Sequence, residues 1–313
     1  MSEHIVVPLD GSSAARAALP YAATLAKRLG AGIHLVEVLV DTPRVPVGAR
    51  VGAGGDGDST LALPKQAETE TRLANAYLRW VADEVEMAGV PATYEVAHGP
   101  VAEALLNVAQ REGVSLVAMT THSRSSLARL VVGSVASRVI RESERPVLLV
   151  RRREPNDCEP EAEGWLKPEG RAARVLVPLD GSPLAECVLP TITRFAERLD
   201  LEVVLLRVAM WTANESPSWG VYHMADQAEA RAYLATVEAN LAGKGIAVRT
   251  ATGWGEPART IVKTAEQEGC DLIAMSTHGR TGFLQLVLGS VTESVLQLSP
   301  VPVLVVRGKA GGG

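Results

Sequence analysis

Apolar residues fall along this chain in two alternating textures. Short, nearly continuous apolar runs are separated by longer stretches in which apolar residues recur at helical spacing. In the second half, runs near 174–180, 201–208, 246–252, 271–276 and 301–307 predict strands, and the periodic stretches near 183–199, 223–243, 256–268 and 290–298 predict helices. Runs such as Val203-Val204-Leu205-Leu206 show no polar alternation, as expected of strands covered on both faces. Strands separated by helices predict a parallel sheet wound by right-handed crossovers. Ser182-Pro183 suits the start of a helix, a capping hydroxyl followed by proline in the first turn. Pro20 and Pro190 hold matching places inside the first helical stretch of each half and are expected to kink it.

The pattern occurs twice. Residues 4–20, HIVVPLDGSSAARAALP, return at 174–190 as RVLVPLDGSPLAECVLP. Residues 114–150 align without a gap on 270–306, with 17 of 37 positions identical. The offset falls from 170 to 156 between these blocks, so the first half carries 14 more residues. Most of the surplus lies in 41–64, rich in Gly, Pro and Asp, which reads as a long mobile loop. Residues 152–172 are rich in Pro and Glu without an apolar period and read as a linker. The division expected is a first domain over 1–151, the linker, and a second domain over 173–313. The fold class expected is α/β, two doubly wound parallel sheets in tandem.

Composition narrows the function. The 313 residues are 47% hydrophobic and 21% charged, long enough for two cores, and with aromatics at 4% those cores must be built from Val, Leu, Ile and Ala. A net charge of -5 gives no electrostatic footprint for nucleic acid or an anionic membrane. No apolar run reaches the ~18 residues of a membrane span. The start, MSEHIVVPLDGSS, lacks a secretory pattern, so a cytoplasmic location is expected. Cys158, Cys187 and Cys270 have no metal-ligand spacing and read as reduced thiols.

Ligands of open parallel sheets sit at the carboxyl ends of the strands, where strand order reverses. Two sequence features fall there in each half. One is Pro-Leu-Asp-Gly-Ser after the first strand, residues 8–12 and 178–182. The other is the loop after the fourth strand, TTHSRSSLARLVVGS at 120–134 and STHGRTGFLQLVLGS at 276–290, which ends in Gly-Ser before the last helix. A helix start attracts phosphate through its unpaired N–H groups and partial positive charge. Glycines allow close approach of the main chain, Ser290 adds a hydroxyl, and Asp180 could hold ribose hydroxyls or an adenine edge. A bland alternative stands beside this one. Ser290-Val291-Thr292-Glu293 fits a capping box, and Asp10 and Asp180 could simply bond the turn that follows them. No Walker lysine motif occurs. Gly52-Ala-Gly54-Gly-Asp-Gly57 matches a dinucleotide fingerprint in letters but not in context, about a dozen residues from the nearest strand.

The repeated Pro-Leu-Asp-Gly-Ser, the Met-(Ser/Thr)-Thr-His loop, the Gly-Ser helix start and a final Pro-Val-Leu-(Leu/Val)-Val strand resemble the universal stress protein family. The resemblance covers both halves. It implies an adenine-nucleotide α-hydrolase-like fold with five-stranded sheets of order 3-2-1-4-5, paired through their last strands, which a tandem chain could satisfy internally as a pseudo-dimer. A further homodimer through an apolar last-strand edge is a second expectation. Some members of that family bind ATP and others do not. The binding pattern is Gly, two residues, Gly, nine residues, Gly-(Ser/Thr). The second half carries Ser276, Gly279 and Gly289-Ser290 at these places, the first half Thr120, Ser123 and Gly133-Ser134.

The resemblance then implies a nucleotide site in the second half. Asp180 would contact ribose and adenine, and the Val208 backbone would read adenine. Met275, Ser276, Gly279, Arg280, Gly289, Ser290 and Val291 would surround the phosphates. A weaker first-half site would use Asp10, Val38, Met119, Thr120, Gly133, Ser134 and Val135. His278, Arg280, His122 and Arg124 lie in the loops themselves. If the backbone at the first pattern position needs a left-handed conformation, β-branched Thr120 would be strained there.

The function expected is a stress-response or regulatory protein that binds ATP or a related adenine nucleotide, with or without Mg²⁺. Binding would alter conformation or partner choice. The alternative is a nucleotide-free interaction protein of the same fold. No nucleophile–base pair or metal cluster suggests an enzyme, so no catalytic residue is assigned.

Overall fold

The computed structural model describes residues 3–40, 62–121, 132–151, 165–166, 171–209, 219–277 and 288–308, with backbone alone for 62–66 and 219–226. The insertion over 41–61, the Gly52–Gly57 run, His122, Ser123, Arg124, His278, Gly279, Arg280, Cys158 and most of the linker lie outside these residues.

The first half runs β1 (His4–Leu9), α1 (Ser13–Arg16), α2 (Leu19–Leu29), β2 (Gly32–Leu39), α3 (Ala62–Met87), β3 (Ala92–His98), α4 (Val101–Ala109), β4 (Val114–Thr120), α5 (Ser134–Glu142) and β5 (Val147–Val150). The second half repeats it as β6 (Ala173–Pro178), α6 (Pro183–Glu186), α7 (Leu189–Leu199), β7 (Leu201–Ala209), α8 (Trp219–Ala242), β8 (Val248–Trp254), α9 (Pro257–Gln267), β9 (Leu272–Ser276), α10 (Ser290–Leu298) and β10 (Val303–Val306). Two expectations need correction. The helix α3 opens at Ala62, so 62–64 belong to it and not to the loop. The prolines do not kink a continuous helix: each first helical stretch is broken in two, and Pro20 and Pro190 stand in the first turns of α2 and α7. Proline lacks an N–H, and a first turn needs none from it.

Each half has strand order 3-2-1-4-5, all parallel, and the two sheets fuse into one of ten strands ordered β3-β2-β1-β4-β5-β10-β9-β6-β7-β8. The seam is the antiparallel pair β5–β10, with Leu149 opposite Val303, Leu148 opposite Leu304 and Val147 opposite Val305. Both last-strand edges are therefore consumed within the chain. The expected homodimer through that edge has no edge left to use, and β3 and β8 are the outer strands.

Two apolar layers cover the sheet, and both run across the seam. One holds Ile5, Leu25, Leu35, Leu78, Leu148, Val175, Ile192, Leu234 and Leu304 beneath α2, α3, α7 and α8. The other holds Val36, Val139, Leu149, Leu206, Ile261, Ile273, Met275, Val295 and Val305 beneath α4, α5, α9 and α10. Trp165 and Leu166 join the first layer, although nothing in the linker's polar composition announces it. The Trp165 indole donates to the Asp271 carbonyl at 2.7 Å and meets Tyr21 edge-on at 5.1 Å. Arg28 donates to the carbonyls of Leu166 and Leu199, and Arg198 donates to that of Leu29.

Candidate functional site

The strand order reverses between β6 and β9. Val175 lies opposite Leu272 and Leu176 opposite Ile273. Continued four residues onward, that register sets Asp180 beside Thr277 at the carboxyl edge of the sheet. The turn at Asp180 is built locally. Asp180 Oδ1 accepts from the Ser182 N–H at 2.9 Å, and Ser182 Oγ accepts from the Ala185 N–H at 3.1 Å to cap α6. Gly181 between them has φ +79°, and a Cβ there would collide with the Arg207 guanidinium. That is why the turn is Asp-Gly-Ser: a short acceptor, a left-handed residue and a cap.

Arg207 was not among the sequence-derived candidates. Its guanidinium lies against this turn and 5.2 Å over the Tyr233 ring, whose hydroxyl donates to Glu186 Oε1 at 2.7 Å. Burial first, then the Glu186 carboxylate, push the Tyr233 phenol well above its usual range. In the first half the same register position, opposite Leu9, is Glu37. The charge beside the two Asp-Gly-Ser turns is thus opposite in sign. A register comparison of the two second strands carries that signal.

The loop after β9 is clamped at both ends. The Thr277 N–H donates to Val306 O at 2.9 Å, the Gly289 N–H to Thr277 O at 3.0 Å, and the Gly308 N–H to Thr277 Oγ1 at 3.2 Å. Thr292 Oγ1 donates to Ser276 O at 3.1 Å from inside α10. The first half repeats the clamp, with Thr121 N–H to Val150 O at 3.2 Å and Gly133 N–H to Thr121 O at 2.9 Å. It has Ala136 where the second half has Thr292, so the hydroxyl strut is lost. Thr277 and Thr292 are the buried residues that sequence reasoning passed over; the repeated Thr-His pair was the available signal for the first.

Helix α10 does not start as the capping box required. Its N-cap is Gly289, Ser290 is already the first helical residue, and the cap carries no side-chain hydrogen bond. The helix α5 starts the same way at Gly133. By contrast, α6 is capped by Ser182 and α9 by Glu256, whose oxygens accept from Ala258 N–H at 3.1 Å and Arg259 N–H at 2.8 Å. The reason for the shift is the clamp: the bond from Gly289 to Thr277 O sets where the helix begins, one residue ahead of the serine. Glu293 N–H then bonds Gly289 O at 2.9 Å as an ordinary helical step. The backbone at the first pattern position raises no strain. Thr120 and Ser276 are buried strand residues, and neither has positive φ.

Of the expected second-half residues, the structure brings Val208, Met275, Ser276, Gly289, Ser290 and Val291 to the edge beside Asp180. Val208 and Val291 are partly buried against the layer that contains Met275. Val38, Met119, Thr120, Gly133, Ser134 and Val135 are arranged likewise beside Asp10, whose Oδ1 accepts from Ser12 N–H at 3.0 Å. Gly279 and Arg280 fall outside the described residues. The arrangement offers a half-apolar shelf ending at a helix start whose positive end carries no side-chain cap among the described residues, with a carboxylate and a guanidinium at its rim. Cys187 and Cys270 are free thiols, and burial, reinforced by the neighbouring carboxylates of Asp271 and Glu268, pushes the Cys270 thiol up to about 12. Among the described residues no group of His, Cys, Asp and Glu could hold a metal, and no helix is long and apolar enough to cross a membrane.

The model of the universal stress protein family matches residues 1–151 and again 172–307. A universal stress protein of Mycobacterium tuberculosis is 29% identical over 315 residues, covering 97% of this chain and 96% of the relative. One from Methanocaldococcus jannaschii is 32% identical over 154 residues, covering 44% of this chain and 95% of the relative. Among solved structures, a universal stress protein from Archaeoglobus fulgidus superposes with a TM-score of 0.71 at 23% identity, over 99% of this chain and 100% of that one, a likeness of fold. A twice-matched family model and a fold repeated in both halves leave one conclusion: the chain belongs to the universal stress protein family, with two family domains in tandem.

Proposed function

We propose that this chain is a regulatory stress-response protein that binds ATP, or a related adenine nucleotide, in the crevice of its second half. Binding changes its conformation or its choice of partner. The observation that carries this reading is the start of α10. Its N-cap is a glycine without a side-chain bond, clamped at the switch point of the sheet, whereas the starts of α6 and α9 are closed by Ser182 and Glu256. A phosphate there would receive first-turn N–H groups and the positive end of the helix dipole. Asp180 and the Val208 backbone would face ribose and adenine, with Met275, Ser276 and Val291 as walls and Gly279 and Arg280 over the phosphates.

The first half is the weaker site on the same reasoning. Glu37 replaces Arg207, and an acid beside the crevice repels a polyanion where the guanidinium attracts it. Mg²⁺ would accompany a triphosphate as its counter-ion. The protein is read as a binder and not as a catalyst.

One observation favours the nucleotide-free reading. Asp180 Oδ1 and Asp10 Oδ1 each close their own turn, so these aspartates have a structural role without a ligand. Calorimetric titration of ATP·Mg²⁺ into wild type, Asp180→Asn and Gly279→Trp separates the two. Asn keeps the Oδ1 acceptor for Ser182 but loses the charge. The nucleotide reading expects one strong site, weakened about tenfold by Asp180→Asn, the loss of roughly one charged hydrogen bond, and abolished by Gly279→Trp. Absence of heat with wild type at millimolar nucleotide would establish the interaction-protein reading instead.

A further inference from the structure

The helix α3 packs one face on the sheet through Ala74, Leu78, Val81, Ala82 and Val85, all buried. Its outer face should be polar. Instead Leu73, Trp80 and Met87 stand there at 63%, 47% and 81% exposure. They are seven residues apart, and seven residues advance a helix by two turns with a drift of only about 20°. The three side chains therefore form a line along the helix with Trp80 at its middle. The Arg16 guanidinium sits 4.5 Å over the Trp80 ring, held by Glu84 at 2.5 Å, which orients the ring but leaves it half exposed.

The charges beside this line share its centre. On one flank Arg72 and Arg79 lie before the midpoint and Asp83 and Glu86 around and after it. None of the four forms an ion pair with another described residue. We propose that α3 docks on the α3 of a second copy of this chain, the two helices antiparallel about a two-fold axis at Trp80. In that arrangement each Leu73 meets Met87 of the partner subunit, and Trp80 meets Trp80 of the partner subunit. Antiparallel helices oppose like flanks. Arg72 then lies within two residues of level with Glu86 of the partner subunit, and Arg79 likewise with Asp83 of the partner subunit, an axial offset of about 3 Å. The two-fold doubles both pairs. An apolar line and a charge pattern that are self-complementary about one residue select a second copy over an unrelated partner.

The second half lacks the device. Leu78 and Leu234 are equivalent and both fully buried, which fixes the alignment of α3 on α8. The apolar line becomes Glu229, Thr236 and Gly243, and the four charges become Ala228, Ala235, Ala239 and Ala242. With one such face among the described residues, association closes at a dimer and does not propagate. The stretch from residue 67 to 87 is about 30 Å long, so the interface is at the small end of stable ones, about 1,200 Å² or less. An interface of that size is expected to associate weakly, at about micromolar concentrations.

Sedimentation velocity of the full chain, from low to high micromolar, tests this. Wild type should pass from monomer to dimer over that range. Trp80→Glu should remain monomeric while keeping the circular dichroism spectrum of the folded chain, with only a small fall in Tm from the lost contacts to Arg16 and Tyr77. Arg72→Glu/Arg79→Glu makes the flank wholly acidic and Asp83→Arg/Glu86→Arg makes it wholly basic. Each double variant alone should be monomeric, and an equimolar mixture should form heterodimers. A wild type that stays monomeric, a dimer that survives Trp80→Glu, or a mixture that fails to associate would each overturn the proposal.

Discussion

Leu148 lies directly opposite Leu304 across the β5–β10 seam, with 1% and 0% exposure. The two are the same position of the repeat, so the pseudo-two-fold axis of the chain passes between them. Two copies of one edge can pair about such an axis only antiparallel, which is why a parallel sheet carries one antiparallel joint. Because both apolar layers cross it, the two halves should unfold together. Urea denaturation followed by circular dichroism is expected to show one transition, and Leu304→Ala should cost about 2–5 kcal/mol. The Leu148→Ala/Leu304→Ala pair should cost less than the sum of its parts, since the residues touch. Two separate wild-type transitions would contradict this.

Arg28 and Arg198 are also repeat equivalents, and each reaches the last turn of the other's helix, at Leu199 O and Leu29 O. A cation at a helix C-terminus satisfies carbonyls that have no intrahelical partner. Burial lowers the Arg28 pKa while Asp200 raises it, the mark of a guanidinium taken partly out of water. Arg28→Met keeps the stem and removes the donors. Its expected cost is about 1–2 kcal/mol for charge-assisted bonds at a half-exposed site, measured as a shift in the urea midpoint. Arg198→Met should cost less, because Arg198 holds the more exposed Glu3 at 2.6 Å as its second partner.

Thr292 props the end of β9 from within α10 through Ser276 O. Thr292→Val preserves shape and leaves that buried carbonyl without the hydroxyl, at an expected cost of about 1–2 kcal/mol. If the start of α10 cradles phosphate, the same variant should weaken ATP binding in calorimetry more than it lowers Tm in its absence. Equal effects would mean the strut only stabilises the fold.

The stability of the chain should depend on pH through His34 in its first half. Its Nδ1 is 2.8 Å from Thr93 Oγ1 and its Nε2 3.6 Å from Glu95. Burial lowers its pKa below 6.5, and Glu95 only partly opposes that. The unfolded chain therefore takes up this proton at higher pH than the folded one, and stability falls as pH drops from about 6.5 toward the folded value. Glu95 acts at lower pH. Burial would raise its pKa, but the Arg111 bond at 2.8 Å and His34 outweigh that and lower it. Its stabilisation is present above its ordinary value and is lost as pH falls through the lowered one. A Tm profile should show a declining acid limb, and His34→Gln should flatten its upper part, near pH 6.

How much of this was legible in the sequence can be argued from single positions. The repeat of HIVVPLDGSS as RVLVPLDGSP, and strands such as Val203–Leu206 without polar alternation, determined a tandem parallel α/β fold. Burial on both faces admits only apolar runs, and that pattern is local. Asp-Gly-Ser at 180–182 was equally legible, because an acceptor, a left-handed residue and a cap are the needs of one turn. The start of α10 was not. Ser290-Val-Thr-Glu293 satisfies a local rule for capping, but the clamp from Gly289 to Thr277 O, a contact across the loop, moved the helix start by one residue. Arg207 against Glu37, the burial of Trp165, and the seam at Leu148 and Leu304 were likewise decided by the tertiary structure. Each depends on which distant segment comes alongside, and periodicity along a chain records which face of an element is apolar but not what that face meets.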